Sequence, residues 1–146
     1  MNELREARVL IVDAQPVMRD GLAANLAAAG ATIVAETGDP LAAIDASARL
    51  RPDVVLLDLS LVERHGDWVI TRLRESLAGG RIIILSSLED ERRIVRALQA
   101  GADGHLSKDA FREDLIAAVR GDGAPPGATS VAAPGERAAA LSAREA

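Results

Sequence analysis

The chain has 146 residues, 49% of them hydrophobic, with 17 basic against 22 acidic side chains and a net charge of −5. That is enough apolar material for one domain with a core, while the negative balance works against gripping phosphate backbones or anionic membrane surfaces. Cysteine is absent, which excludes disulfides and thiolate metal sites. Trp68 and Phe111 are the only aromatics, so the core must be aliphatic and base-stacking platforms are not expected.

The N-terminal stretch MNELREAR is charged and opens no signal-type segment, and the longest apolar runs are too short to span a bilayer. A cytoplasmic protein is the expectation. From there, short aliphatic runs alternate with helical patterns. Val9 to Val12 reads as a strand, and Pro16 to Ala29 as a helix with Val17, Leu22 and Leu26 inward, stopped by Gly30. Ile33 to Ala35 is a second strand. Asp39-Pro40 supplies an N-cap and a first-turn proline for a helix carrying Leu41, Ile44 and Leu50, which ends at Pro52.

Val54 to Leu57 is the third strand, with the next helix expected from about Asp67 to Leu77 before Gly79-Gly80. Ile82 to Leu85 is the fourth strand, followed by a helix from about Glu89 to Ala100 with Ile94, Val95 and Leu98 on one side. A weak fifth strand lies near His105 to Ser107. Asp109 is expected to cap a last helix whose apolar side is Phe111, Leu115, Ile116 and Val119.

The strand runs are continuous rather than alternating, which implies burial on both faces, as in a parallel sheet covered by helices. Five strands and five helices in strict alternation give a (βα)5 chain and an α/β three-layer sandwich. After Arg120 the stretch GDGAPPGATSVAAPGERAAA is too small and polar to order itself, so residues 121–141 are expected to form a flexible linker. Ser142 and Glu145 have capping-box spacing that announces a new helix, for which residues 142–146 leave no room.

In such sheets, chemistry collects outside the carboxyl ends of the strands, where strand order reverses. Four polar residues fall at expected strand ends: Asp13, Asp58, Ser86 and Lys108. Asp58 alone could simply be an acid capping the next helix. Together the four make a coherent set, because a carboxylate can carry a covalent phosphoryl group if the charge on its oxygens is neutralised. Lys108 offers a compact cation, Ser86 a hydroxyl, and a divalent ion could bridge carboxylate and phosphoryl oxygens.

The stretches VLIVDAQPVMRDGL, RPDVVLLDLSL, IIILSS and RALQAGADGHLSKDA resemble the receiver domain of bacterial two-component response regulators over essentially residues 7 to 120. RPDVVLLDLSL and AGADGHLSKDA look most like the NarL/FixJ branch, whose members carry a LuxR-type helix-turn-helix output domain, and LSARE at the end resembles the opening of that domain. The resemblance implies a flavodoxin-like fold with a parallel five-stranded sheet of order 2-1-3-4-5. It implies a phosphoacceptor signalling domain rather than an enzyme, with Asp58 as the acceptor, Ser86 as the hydroxyl that reorients toward the phosphoryl group, and Lys108 as its salt-bridging partner. It also implies Mg2+ held by Asp13, Asp58 and the Ser60 backbone carbonyl, a sensor histidine kinase as partner, a homodimer, and DNA contacts only through the missing C-terminal domain.

Three positions depart from that family. A second acid usually follows Asp13, and Ala14 stands there, which should weaken magnesium binding. Val62 occupies the place of a usual proline, and His105 that of an aromatic, where it reads equally as a surface histidine at a strand edge or as a switching residue. His65 reads as a loop residue, and the two isolated histidines make no metal signature. Ala14 motivates an alternative, an atypical receiver that works without phosphorylation through dimerisation or a small ligand. A haloacid-dehalogenase phosphatase would need an acid where Ser60 stands, and no Gly-rich turn follows the first strand for a dinucleotide enzyme.

Overall fold

The computed structural model describes residues 3–77, 79–87, 91–110 and 112–121. Five parallel strands, β1 (Arg8–Val12), β2 (Thr32–Thr37), β3 (Val54–Asp58), β4 (Arg81–Ser86) and β5 (Gly104–Ser107), form one sheet in the order β2-β1-β3-β4-β5. This is the expected α/β sandwich and strand order. Parallel neighbours need long crossovers, and these are supplied by α1 (Pro16–Ala28), α2 (Pro40–Leu50), α3 (Leu59–His65), α4 (Trp68–Ser76) and α5 (Glu91–Ala100), with α6 (Arg112–Arg120) closing the chain.

Side chains alternate across the sheet. Leu10, Val12, Val55, Leu57, Ile82 and Ile84 pack beneath α2 to α5. Val9, Ile11, Val54, Leu56, Ile83 and Leu85 face the opposite layer with α1 and α6. Burial on both sides is why these strands read as unbroken apolar runs. Among the described residues no helix is long and apolar enough to cross a membrane.

Register then sets the working edge. Val12 pairs with Leu57, Asp58 with Leu85, and Ser86 with Ser107. Asp13, Asp58, Ser86 and Lys108 therefore leave neighbouring strands at nearly one level. Asp13 and Asp58 flank the switch point between β1 and β3, where the chain's direction of winding reverses.

Several expectations need correction. The segment after Asp58 is not a loop: residues Leu59–His65 form α3, so His65 ends a helix and there are two helices, not one, between β3 and β4. No proline or glycine interrupts the segment before Gly66, Leu59, Leu61 and Val62 are buried against the sheet, and Asp58 caps the first turn. Gly66 (φ 117°) breaks the path, and the Trp68 indole N–H donates to the His65 carbonyl (2.7 Å), closing the joint.

Val17 and Leu41, expected on apolar faces, are 83% and 61% exposed. Both sit in the first turn of their helices, and in α2 it is Pro40 beside Leu41 that is buried. His105 is not a surface residue: it is 3% exposed, on the opposite side of β5 from Leu106, which faces the α1 and α6 layer. Asp109 lies in the turn before α6, its N–H donating to Ser107 Oγ (3.1 Å), and the helix begins three residues later. Glu89, Phe111, residues 122–141 of the linker expected over 121–141 and the segment 142–146 lie outside the described residues.

Candidate functional site

Asp13 is fully buried just past β1. Its N–H donates to the Thr37 carbonyl of the neighbouring strand (3.0 Å), its Oδ1 accepts from the Gln15 N–H (2.8 Å), and its carbonyl accepts from the Arg19 guanidinium. Gly38 makes room for this arrangement. A Cβ there would stand 3.1 Å from Arg19 Nη1 and 3.2 Å from the Asp13 carbonyl oxygen.

Asp58 ends β3 and is buried. Its Oδ1 accepts from the Ser60 N–H (3.0 Å) and its Oδ2 from the Ser60 hydroxyl (2.6 Å), with the Ala14 N–H at 3.5 Å from the same oxygen. Asp13 and Asp58 thus make the same bond from carboxylate to the N–H two residues on, a local habit of aspartate at turns. The plain capping role and the site role coincide in one side chain.

Lys108 leaves β5 where its backbone N–H donates to the Ser86 carbonyl (2.9 Å). Its ammonium, itself almost buried, lies 2.8 Å from Asp13 Oδ2 and 3.2 Å from Asp58 Oδ1, bridging the two acids. Ser86 is buried on the adjacent strand, one residue beyond the partner of Asp58. Burial pushes the Asp58 carboxyl up, but the Ser60 hydroxyl and amide and the Lys108 charge outweigh it and hold the group below its ordinary value of 3.8. Asp58 is therefore an anion at neutral pH, neutralised from one side.

Of the four strand-end residues singled out in the sequence, Asp13, Asp58 and Lys108 meet through their side chains, and Ser86 lies beside them by strand register and by the Lys108 N–H donated to its carbonyl. The Ser60 side chain was missed, since only its carbonyl was considered. The signal was present, because a hydroxyl two residues after an acid is a common capping arrangement. Arg19, which fixes the Asp13 carbonyl, was also missed; an arginine six residues on carries no local signature.

A magnesium ion asks for near-octahedral oxygen geometry. Here every oxygen of the two carboxylates already faces a donor or an ammonium, and Ala14 brings no side-chain oxygen. Ser60 is the second residue of α3, where a backbone carbonyl points along the helix away from its cap. Among the described residues no group of three or more His, Cys, Asp or Glu side chains could hold a metal. Asp13, whose buried Oδ2 has no hydrogen-bond donor and only the Lys108 ammonium against it, and Asp58 are the side chains that would hold the ion, and Ala14 adds no third carboxylate.

A buried aspartate at the switch point of a 2-1-3-4-5 sheet, bridged by a lysine from the last strand, is the layout of a phosphoacceptor domain. The chain matches the family model "Response regulator receiver domain" over residues 9–120, and it belongs to that family, which is a signalling class and not an enzyme class. Members of the family typically bind Mg2+. The chain is 35% identical over 120 residues to the nitrate/nitrite response regulator protein NarL of Escherichia coli (strain K12) and 39% identical over 121 residues to NarP of the same strain. Each match covers 82% of this chain and 56% of the relative, so the chain spans about half the length of those proteins. Among solved structures, the signal receiver domain of the Mycobacterium tuberculosis response regulator NarL superposes with a TM-score of 0.72 at 31% identity, covering 79% of this chain and 94% of that one.

Proposed function

We propose that this chain is the receiver of a transcription-regulating response regulator of the NarL/FixJ branch and accepts a phosphoryl group on Asp58. The observation that carries the reading is the Lys108 ammonium, 3.2 Å from Asp58 Oδ1 and 2.8 Å from Asp13 Oδ2 at the switch point of the sheet. Phosphoryl transfer needs little covalent chemistry from the protein beyond a placed nucleophile and neutralised charge. Asp58 supplies the nucleophile, Lys108 the charge, and Ser86 a hydroxyl that turns toward the phosphoryl group.

A sensor histidine kinase is the donor in this reading, in the cytoplasm. The modified site then biases a two-state equilibrium that controls homodimerisation and the release of a DNA-binding domain. Residues 1–120 are the receiver, 121–141 the linker, and 142–146 the start of that output domain.

One observation favours a second reading, a receiver governed by dimerisation or a small ligand and not by phosphorylation. With Ala14 in place of a further acid and Lys108 bridging Asp13 and Asp58, the pocket has only one negative charge left to balance. Incubation with acetyl phosphate and MgCl2, followed by intact mass, separates the two. Gain of one phosphoryl group, lost in Asp58→Asn, supports the phosphoacceptor; no gain in the parent but gain in Ala14→Asp supports the second reading.

A further inference from the structure

We propose that Ser60 is a latch on the acceptor, a positioning residue whose hydroxyl holds Asp58 in a closed and slowly reacting state. This deepens the phosphoacceptor reading and rests on it. The two oxygens of Asp58 are not equivalent. Oδ1 is shared by the Lys108 ammonium (3.2 Å) and the Ser60 N–H (3.0 Å), while Oδ2 faces the Ser60 hydroxyl at 2.6 Å and otherwise only the Ala14 N–H at 3.5 Å. The hydroxyl is thus the one short, rotatable restraint on the oxygen that Lys108 leaves free.

In this proposal that oxygen is the one that attacks, because Lys108 does not pair with it. In transfer from acetyl phosphate, a carboxylate oxygen of Asp58 forms a bond to phosphorus as the phosphorus–oxygen bond to acetate breaks. Acetate leaves with the electron pair, and no proton is taken from Asp58. While the Ser60 hydroxyl donates to Oδ2, it lowers that oxygen's nucleophilicity and occupies the approach that the phosphorus needs.

The latch does not yield as a loop would. Ser60 belongs to the first turn of α3, whose Leu59, Leu61 and Val62 are buried. Glu63 of α3 pairs with Arg93 of α5 (2.7 Å), and Asp67, just past the α3 terminus, pairs with Arg96 (2.8 Å). With α3 buried on one face and tied to α5 through Glu63, the economical route to a reactive Asp58 is rotation of the Ser60 hydroxyl alone, with α3 intact.

The test compares the parent chain with Ser60→Ala, Ser60→Thr and Asp58→Asn, all with acetyl phosphate and MgCl2. Initial rates of phosphoryl gain come from intact mass, and α3 is followed by hydrogen–deuterium exchange of residues 59–65. Trp68, the only tryptophan, reports on the same helix through its bond to the His65 carbonyl. Removing a hydrogen bond to a charged group should speed Ser60→Ala about tenfold. Ser60→Thr, which keeps the hydroxyl, should stay within about twofold of the parent.

Exchange in α3 and Trp68 emission should change little in Ser60→Ala, because the backbone N–H still binds Oδ1; a merely structural serine would loosen the helix without raising the rate. A labelled parent with Ser60→Ala no faster overturns the latch and leaves the phosphoacceptor reading intact. An unlabelled parent with labelled Ser60→Ala supports the latch in a tighter form. No label in either chain overturns both.

Discussion

The Lys108 ammonium stands closer to Asp13 (2.8 Å) than to Asp58, the proposed acceptor (3.2 Å). One cation therefore serves two buried carboxylates, and the three groups together carry a single negative charge. Lys108→Met removes the shared cation and leaves both acids facing each other without compensation. Stripping one partner from such a buried arrangement costs about 3–5 kcal/mol, which urea unfolding should show directly. Adding Asp13→Asn to the same chain should recover part of the loss, since only one charge then needs neutralising; a double variant no more stable than the single one would contradict the bridging role.

Ala14→Asp tests the charge balance from the other direction. A carboxylate about 5 Å from another repels it by about 3 kcal/mol at an effective dielectric near 20, so the variant should melt roughly 5–10 °C below the parent in metal-free buffer. Adding MgCl2 should restore most of that difference, because the third acid supplies the missing ligand oxygen. The parent's melting temperature should barely respond to the same addition. A parent that gained as much as the variant would show that its own residues hold the ion.

The lowered pKa of Asp58 has a pH signature. In the unfolded chain the group titrates near its ordinary value of 3.8, and in the folded one below it. Its contribution is fully present above the unfolded value and is lost as pH falls through the folded one, that is, below about pH 4. The stability gap between the parent and Asp58→Asn should therefore be larger at pH 7 than at pH 3 in paired urea titrations. A gap that widened toward acid would mean that burial, and not Ser60 and Lys108, dominates the group.

Val62→Pro targets α3. Val62 is the fourth helical residue, where a proline removes an N–H and clashes with the preceding turn, at a cost of about 3 kcal/mol or more. It also drives Leu61 out of helical geometry. The expected result is loss of α3 as a helix, read as fast amide exchange over residues 60–65 with the strands still protected. Slow exchange there would mean that α3 persists on burial alone.

Two glycines with opposite surroundings make a paired test. At Gly38 a Cβ would crowd Arg19 Nη1 and the Asp13 carbonyl, so Gly38→Ala should lose about 1–2 kcal/mol, the worth of a hydrogen bond to a charged group. Gly21 lies inside α1 with nothing within 4 Å of its would-be Cβ. Gly21→Ala should gain about 0.5–1 kcal/mol from helix propensity. Thermal melts of the two variants should move in opposite directions.

The sheet was legible because burial on both faces wrote Val9 to Val12, Val54 to Leu57 and Ile82 to Leu85 as unbroken apolar runs. Asp13, Asp58, Ser86 and Lys108 were legible for the reason that strand ends at one level make one cluster. The helix after Asp58 was not, because seven residues carry less than two full turns of periodicity and the family's usual proline suggested a loop. His105 misled because a polar residue on an edge strand looks like a surface residue, whereas on β5 it is buried. Val17 and Leu41 fit a helical stripe by spacing alone, and spacing says nothing about where a first turn outruns its neighbours.

Because Asp58 is both the proposed acceptor and the cap of α3, the usual genetic choice of an inactivating allele is not neutral here. Asparagine keeps an oxygen for the Ser60 N–H, but alanine deletes the cap, at about 0.5–2 kcal/mol. An alanine strain would thus report a frayed helix along with a missing phosphate, and a defect seen only in that strain would say nothing about signalling.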